Sequence, residues 1–275
     1  MILLTIALTI ALFIRSTTYF GAQRYCLEQT LEEIWVNIHF GYKTIETEHF
    51  IVKYLPPAHK KAHFLANEAE SVYGPIAHVF RMQAPRKTMI VLKEYEQDKL
   101  DQLMVGYNFQ GVIYIYDDPY DRLPVSITLP HEFSHIMLRY KYDGAYLIPA
   151  WFDEGLAVNI ETSITSRKII DDWDKTKIYS INDLEKIRSF TELNGDVNTI
   201  YHQSAGIVEY IVETYGEEAL FRLLEQIIYN RKPVAESVHD ILHIDVSTLS
   251  QNSQQHFRKS LFIRGAFKVH NTTLY

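Results

Sequence analysis

The pattern H-E-x-x-H lies at the centre of the segment Thr128-Leu-Pro-His131-Glu132-Phe-Ser-His135-Ile-Met-Leu138. Pro130 is compatible with the first turn of a helix, so a helix is predicted to begin here. Residues four apart share one face of a helix, so the imidazoles of His131 and His135 can reach the same metal ion. Glu132 flanks that face, where it can take a proton from an attacking water without binding the metal. The alternative is a chance match among the 12 histidines of the chain, in which these histidines only line or cap a helix.

A catalytic zinc site needs three protein ligands and leaves one position open, so a third ligand must follow the motif. Glu154 lies in the segment Pro149-Ala-Trp-Phe-Asp-Glu-Gly-Leu-Ala157, with eighteen residues between it and His135. This spacing fits a helix, a turn at Asp143-Gly144 and a second helix that returns the carboxylate to the metal. An acid set among large apolar side chains needs a partner when it is buried. We therefore predict one zinc ion per chain, with the ligands His131, His135 and Glu154.

These motifs resemble those of the gluzincin clan of zinc metallopeptidases, in particular its aminopeptidase branch, and compact peptidase MA-like domains are more similar still. The resemblance covers the layout of residues 48–262 and is specific in the segments 128–161 and 201–216. It implies that Tyr201, which opens a helix, donates a hydrogen bond to the oxyanion. It also implies that Glu161 orients a zinc-binding histidine without binding the metal itself. The alternatives are a packing tyrosine, one of 19 in the chain, and an exposed acid at a helix end.

The order of the predicted elements indicates an α+β protein with two lobes, because strands crowd the first half and helices the second. Strands are predicted at 49–54, 88–92 and 111–116. Amphipathic helices are predicted at 28–41, with the apolar face Leu31, Ile34, Trp35 and Ile38, and around 62–73, where Gly74-Pro75 bends or ends the helix. After Pro124 the pattern is helical almost to the end.

The resemblance adds a zincin-like metallopeptidase fold to this prediction. It implies a small N-terminal β/α lobe with an edge strand, an active-site helix and a mainly helical C-terminal lobe. Within that layout we assign Gly111–Tyr116 as the edge strand along which an extended substrate pairs through backbone hydrogen bonds.

The N-terminus begins with an apolar run, Ile2 to Ile14, that ends at Arg15. Its 13 residues are fewer than the roughly 17 needed to cross a bilayer and are typical of a signal-peptide core. No basic residue precedes the run and no clear cleavage site follows it, so an N-terminal core helix is the alternative. We predict an exported protein of the cell envelope, secreted or membrane-anchored through residues 2–14. The predicted organisation is a signal peptide or anchor over 1–24, a helical lead-in over 25–47 and a zincin-like metallopeptidase domain over 48–275.

Net charge and cysteine content argue against a nucleic-acid partner and exclude an intrachain disulfide. The net charge is −7 and no long basic run occurs, which argues against nucleic acid. Cys26 is the single cysteine, so no intrachain disulfide can form, and we expect a bystander thiol. His239 and His243 also lie one turn apart, but no glutamate follows His239, so we predict ordinary surface histidines. The sequence does not indicate the oligomeric state.

Together these features predict a zinc-dependent peptidase that acts on peptides or proteins and cuts inside chains. An aminopeptidase must hold the free ammonium of its substrate, and aminopeptidase-type gluzincins do so partly with an acid on the edge strand. The corresponding stretch here, Phe109–Tyr116, contains no acid. Two alternatives remain: a metal-retaining, non-catalytic binding or regulatory envelope protein, and a non-enzymatic envelope protein with a fortuitous motif.

Overall fold

A computed structural model describes residues 21–38, 41–94, 106–117, 124–142, 148–169, 178–187, 197–260 and 263–269. These residues belong to two compact units. The first unit spans Met1–Tyr73 and Met82–Gly144, and the second spans Gly74–Arg81 and Ala145–Tyr275. The apolar run at 2–14 and the predicted turn at Asp143-Gly144 lie outside the described residues. Within the described residues, no helix has both the length and the apolar character needed to span a membrane.

The first unit contains a mixed sheet. Its strands are β1 (Lys43–Glu46), β2 (Phe50–Tyr54), β3 (Thr88–Lys93), β4 (Gly106–Phe109) and β5 (Val112–Tyr116). Their order across the sheet is β1-β2-β3-β5-β4. Strands β2, β3 and β5 run parallel, while β1 and β4 pair antiparallel with β2 and β5 at the two edges. The mixture of sheet and helices confirms the predicted α+β class.

The prediction that Gly111–Tyr116 forms the edge strand is wrong. Strand β5 lies between β3 and β4, and all five of its residues are buried. An unbroken apolar run such as Val-Ile-Tyr-Ile-Tyr suits an interior strand because both of its faces need cover. The edge strand is β4, whose sequence Gly-Tyr-Asn-Phe includes two residue types that are rare in strands. A two-residue turn joins β4 to β5, and Gln110 and Gly111 both adopt the positive φ that such a hairpin requires.

The helices of the first half are α1 (Gly21–Ile38), α2 (His59–Phe80) and α3 (Val125–Lys141). Helix α1 begins earlier than predicted, and its predicted apolar face is wrong because Ile34, Trp35 and Ile38 are exposed. Its buried side chains include Tyr25, Gln29 and Val36. Helix α2 does not end at Gly74-Pro75; it continues through Pro75 to Phe80.

The second unit is mainly helical, as predicted for the chain after Pro124. Its further helices are α4 (Ala150–Thr165), α5 (Ile181–Leu184), α6 (Val197–Tyr215), α7 (Glu217–Ile228), α8 (Val234–Leu242) and α9 (Val246–Ser260). Helices α4 and α6 pack closely against each other. The chain after α9 returns to this pair, where Ala266 N–H donates to Asn159 Oδ1 and Phe267 N–H donates to Ser163 Oγ.

Candidate metal centre

Helix α3 presents the two histidines of the motif one turn apart, as the sequence predicts. Their Nε2 atoms lie 3.3 Å apart, and the ring planes are inclined at 80°. His135 is buried and His131 is partly exposed. Arg139 Nη1 donates a 2.9 Å hydrogen bond to the backbone carbonyl of His135. The helix begins at Val125, directly after Pro124, so Pro130 lies in its second turn and not in the first turn as predicted.

The separation of these nitrogens tests whether a metal fits. Zinc–nitrogen bonds in a tetrahedral site place two ligand nitrogens about 3.4 Å apart. The observed 3.3 Å between His131 and His135 matches that value without rearrangement of the helix. The histidine pair therefore has the spacing that a shared cation requires.

The predicted third ligand lies in the first part of α4. Glu154 is partly exposed, whereas Trp151, Phe152 and Leu156 around it are each 1% exposed, as the sequence predicts. One ligand atom of each candidate lies within 4.8 Å of the others; the three residues are His131, His135 and Glu154. Two imidazoles and one carboxylate form a donor set that suits zinc. The described residues therefore contain a group that could hold a metal ion.

Glu132, the predicted base, is buried and has a partner that sequence reasoning missed. Asn108 on β4 donates a 2.7 Å hydrogen bond from Nδ2 to Glu132 Oε2. An ionised carboxylate only accepts hydrogen bonds, so this contact from the amide nitrogen restrains the orientation of the Glu132 side chain. No sequence motif marks Asn108. It lies on strand β4, which was not predicted from the sequence, so its contact with Glu132 could not be predicted either.

A glycine allows the edge strand to lie close to the helix that carries Glu132. A Cβ added at Gly106 would lie 2.4 Å from Thr128 Cγ2, well inside van der Waals contact. With a larger residue, either the Thr128 side chain or β4 would have to shift. The small residue at position 106 therefore allows the close approach of β4 to α3, next to the hydrogen bond between Asn108 and Glu132.

A second glycine follows Glu154 directly and has a similar effect in the second unit. A Cβ added at Gly155 would lie 2.5 Å from the carbonyl oxygen of Ser204 on α6. The close approach also brings Asn159 Nδ2 to 3.2 Å from the carbonyl oxygen of Ala205, to which it donates. Gly155 thus allows α4 and α6 to touch backbone to backbone.

The two remaining site candidates lie on these helices. Tyr201 is partly exposed in the second turn of α6, which begins at Val197, and its predicted oxyanion role remains a prediction. Glu161 is 2% exposed, which excludes the alternative of an exposed acid at a helix end. It forms an ion pair with Arg167, whose Nη2 lies 2.9 Å from Glu161 Oε1. Its predicted support of a histidine also remains a prediction.

Two other candidates from the sequence lie away from this group. His239 and His243 are exposed, as predicted, and His243 adopts the left-handed conformation that ends α8. Cys26 is a free, partly buried thiol on α1.

Residues 125–259 match the family model of the Peptidase MA superfamily. The match begins at the first residue of α3 and ends within α9, so it includes both histidines, both glutamates at 132 and 154, and Tyr201. No curated protein matches the chain.

Proposed function

We propose that this protein is a zinc-dependent endopeptidase, because residues 125–259 match the family model of the Peptidase MA superfamily. The match supports the coarse activity, a metallopeptidase-like hydrolase whose substrates are peptides or proteins. The observation that carries the finer proposal is the convergence of ligand atoms within 4.8 Å, contributed by His131, His135 and Glu154.

In the proposed reaction these three side chains hold one zinc ion. When bound, zinc would polarise the scissile carbonyl and lower the pKa of the water that attacks it. Glu132 accepts the proton of that water and later delivers it to the leaving amine. Asn108 holds one carboxylate oxygen of Glu132, so the other oxygen is available for proton transfer.

Tyr201 is the proposed oxyanion donor. A phenolic hydroxyl can donate one hydrogen bond, and a donor placed at a developing oxyanion stabilises the transition state more than the substrate. The support comes from the resemblance of residues 201–216 to the corresponding helix of aminopeptidase-type gluzincins, together with the position of Tyr201 near the start of α6.

The preference for internal cleavage rests on the corrected edge strand. Strand β4, Gly106–Phe109, contains no Asp or Glu, and neither does the stretch from Gln110 to Tyr116. A substrate ammonium that is taken out of water without a counter-charge costs several kcal/mol. A free N-terminus should therefore be disfavoured at this strand.

The second candidate function is that of a metal-retaining protein of the cell envelope that binds or regulates without catalysis. Glu132, with its hydrogen bond from Asn108, favours the enzyme because a scaffold that only binds metal has no need of a positioned base. Turnover of any peptide would exclude this alternative. Export to the envelope is part of either proposal, and recovery of the full chain only from the cytosol would contradict it.

The decisive experiment measures metal content and turnover in the same variants. Wild type should carry zinc, and alanine at His131, His135 or Glu154 should each remove the ion from this centre, because an open site needs all three ligands. Glu132→Gln should keep the zinc and lose nearly all turnover, since an amide cannot accept the proton. Zinc retained in full at this centre by Glu154→Ala would contradict the ligand assignment. Undiminished turnover by Glu132→Gln would contradict the mechanism.

A further inference from the structure

A second group of possible metal ligands lies in the second unit. Glu209 and Glu213 are one turn apart on α6, and His256 lies on α9. One ligand atom of each lies within 4.8 Å of the others. None of these residues belongs to the candidate centre at His131.

One buried polar atom in this group, Glu209 Oε1, has no hydrogen-bond partner among the described residues. Glu209 is 2% exposed, and its other oxygen accepts a 3.3 Å hydrogen bond from the backbone N–H of Arg264. His256 Nε2 lies 3.2 Å from Glu213 Oε2. Buried polar atoms are usually satisfied, so the unpartnered oxygen of Glu209 requires an explanation.

The two carboxylates of the group differ in burial. Glu209 is 2% exposed, whereas the Glu213 side chain is 27% exposed. The Arg264 guanidinium lies 3.0 Å from Glu213 Oε1, and its side chain is 62% exposed. The ion pair between Arg264 and Glu213 is therefore at the surface.

We propose that Glu209, Glu213 and His256 bind a second divalent transition-metal ion, with Zn²⁺ as the best fit. Mg²⁺ and Ca²⁺ take oxygen ligands almost exclusively, whereas a set of two carboxylates and one imidazole suits zinc. The 3.2 Å between His256 Nε2 and Glu213 Oε2 is close to the spacing of two ligands in a tetrahedral zinc site.

The ion would act as a structural cross-link. It would join α6 to α9 where the chain returns past Arg264 toward Asn159 and Ser163. A metal that binds only the folded state raises its stability, so occupancy should be visible as an increase in Tm.

The test uses the full chain with Glu154→Ala as background, which removes the candidate catalytic centre. Metal-free protein is titrated with Zn²⁺, and bound metal and Tm are measured. The background should bind one equivalent and gain Tm. Adding Glu213→Gln or His256→Ala should abolish both effects. Glu225→Gln, an exposed acid on α7, is the matched control and should change neither.

Arg264→Ala provides an independent test of the proposed site. Removing the guanidinium frees Glu213 for the metal, so Zn²⁺ should bind roughly two- to fivefold more tightly, the order expected when an exposed ion pair is lost. Circular dichroism of the metal-free variants checks that each is folded, and Glu209→Gln replaces any variant that is not.

The proposal is overturned if the Glu154→Ala background binds no zinc, or if Glu213→Gln and His256→Ala bind as much as the Glu225→Gln control. These outcomes are separate from the fate of the proposed function. If the catalytic centre binds no metal, wild type and Glu154→Ala will bind equal amounts, while the effect of Glu213→Gln remains measurable.

Discussion

Gly155→Ala should destabilise the protein, although alanine is the better helix former. In a helix interior that exchange alone is worth about 1 kcal/mol in favour of alanine. Here the new Cβ would lie 2.5 Å from the Ser204 carbonyl oxygen and 2.6 Å from its carbonyl carbon. An ordinary carbon–oxygen contact needs about 3.2 Å or more, so α4 and α6 must separate by roughly 0.7 Å.

The obstacle is backbone and cannot rotate away, so the separation also lengthens the 3.2 Å hydrogen bond from Asn159 to the Ala205 carbonyl. Overpacking typically costs about 1–3 kcal/mol and a weakened buried hydrogen bond about 1 kcal/mol more. After the gain in helix propensity, we expect a net loss of about 1–3 kcal/mol.

Urea unfolding followed by circular dichroism measures this change, and Gly206→Ala offers a matched comparison. A Cβ at Gly206 would lie 2.1 Å from the Phe257 ring, which is a side chain. Phe257→Leu should therefore recover part of the loss in Gly206→Ala, whereas Ser204→Gly should recover little in Gly155→Ala. A Gly155→Ala variant as stable as wild type, or more stable, would refute the reasoning.

Three further predictions concern the proposed chemistry. Asn108→Ala should keep zinc and KM but lower kcat roughly 10-fold, because Glu132 loses a hydrogen bond to its charged form; steady-state kinetics with metal analysis checks this. Tyr201→Phe should keep zinc while kcat falls about 10²-fold, and kinetics equal to wild type would assign the oxyanion to another donor. N-acetylated and free peptides should both be cut internally, and stepwise removal of N-terminal residues from the free peptide alone would show an aminopeptidase.

The residues that carry chemical signatures could be predicted from the sequence, because their spacing is set by a local helical period. His131 and His135 are brought together by one turn of α3, whatever the rest of the chain does. The apolar surroundings of Glu154 could also be predicted from the sequence. The large apolar side chains that flank it are buried in the structure. Predictions of this kind depend on contacts between residues a few positions apart.

The order of strands could not be predicted in the same way. The strand at Val112–Tyr116 could be predicted from its composition, but whether a strand is interior or at an edge depends on what pairs beside it. Strand β4 is four residues long and contains glycine and asparagine, so nothing in its composition indicated a partner for β5. The prediction for helix α1 was wrong for a related reason. Its apolar residues could be identified in the sequence, but the side of the helix that faces the protein could not.

Positioning residues are the harder class, because their side chains have little or no chemistry of their own. Gly106 and Gly155 each remove one Cβ, and the consequence is a contact between elements far apart in the chain. At Gly106 that contact brings an asparagine to the predicted base; at Gly155 it brings the helix of the predicted third ligand against the helix of Tyr201. A glycine next to the proposed metal-binding glutamate is therefore not simply a permissive neighbour. Its substitution should act through the distance between two helices, which is why stability and kcat, measured together, can separate a positioning role from a chemical one.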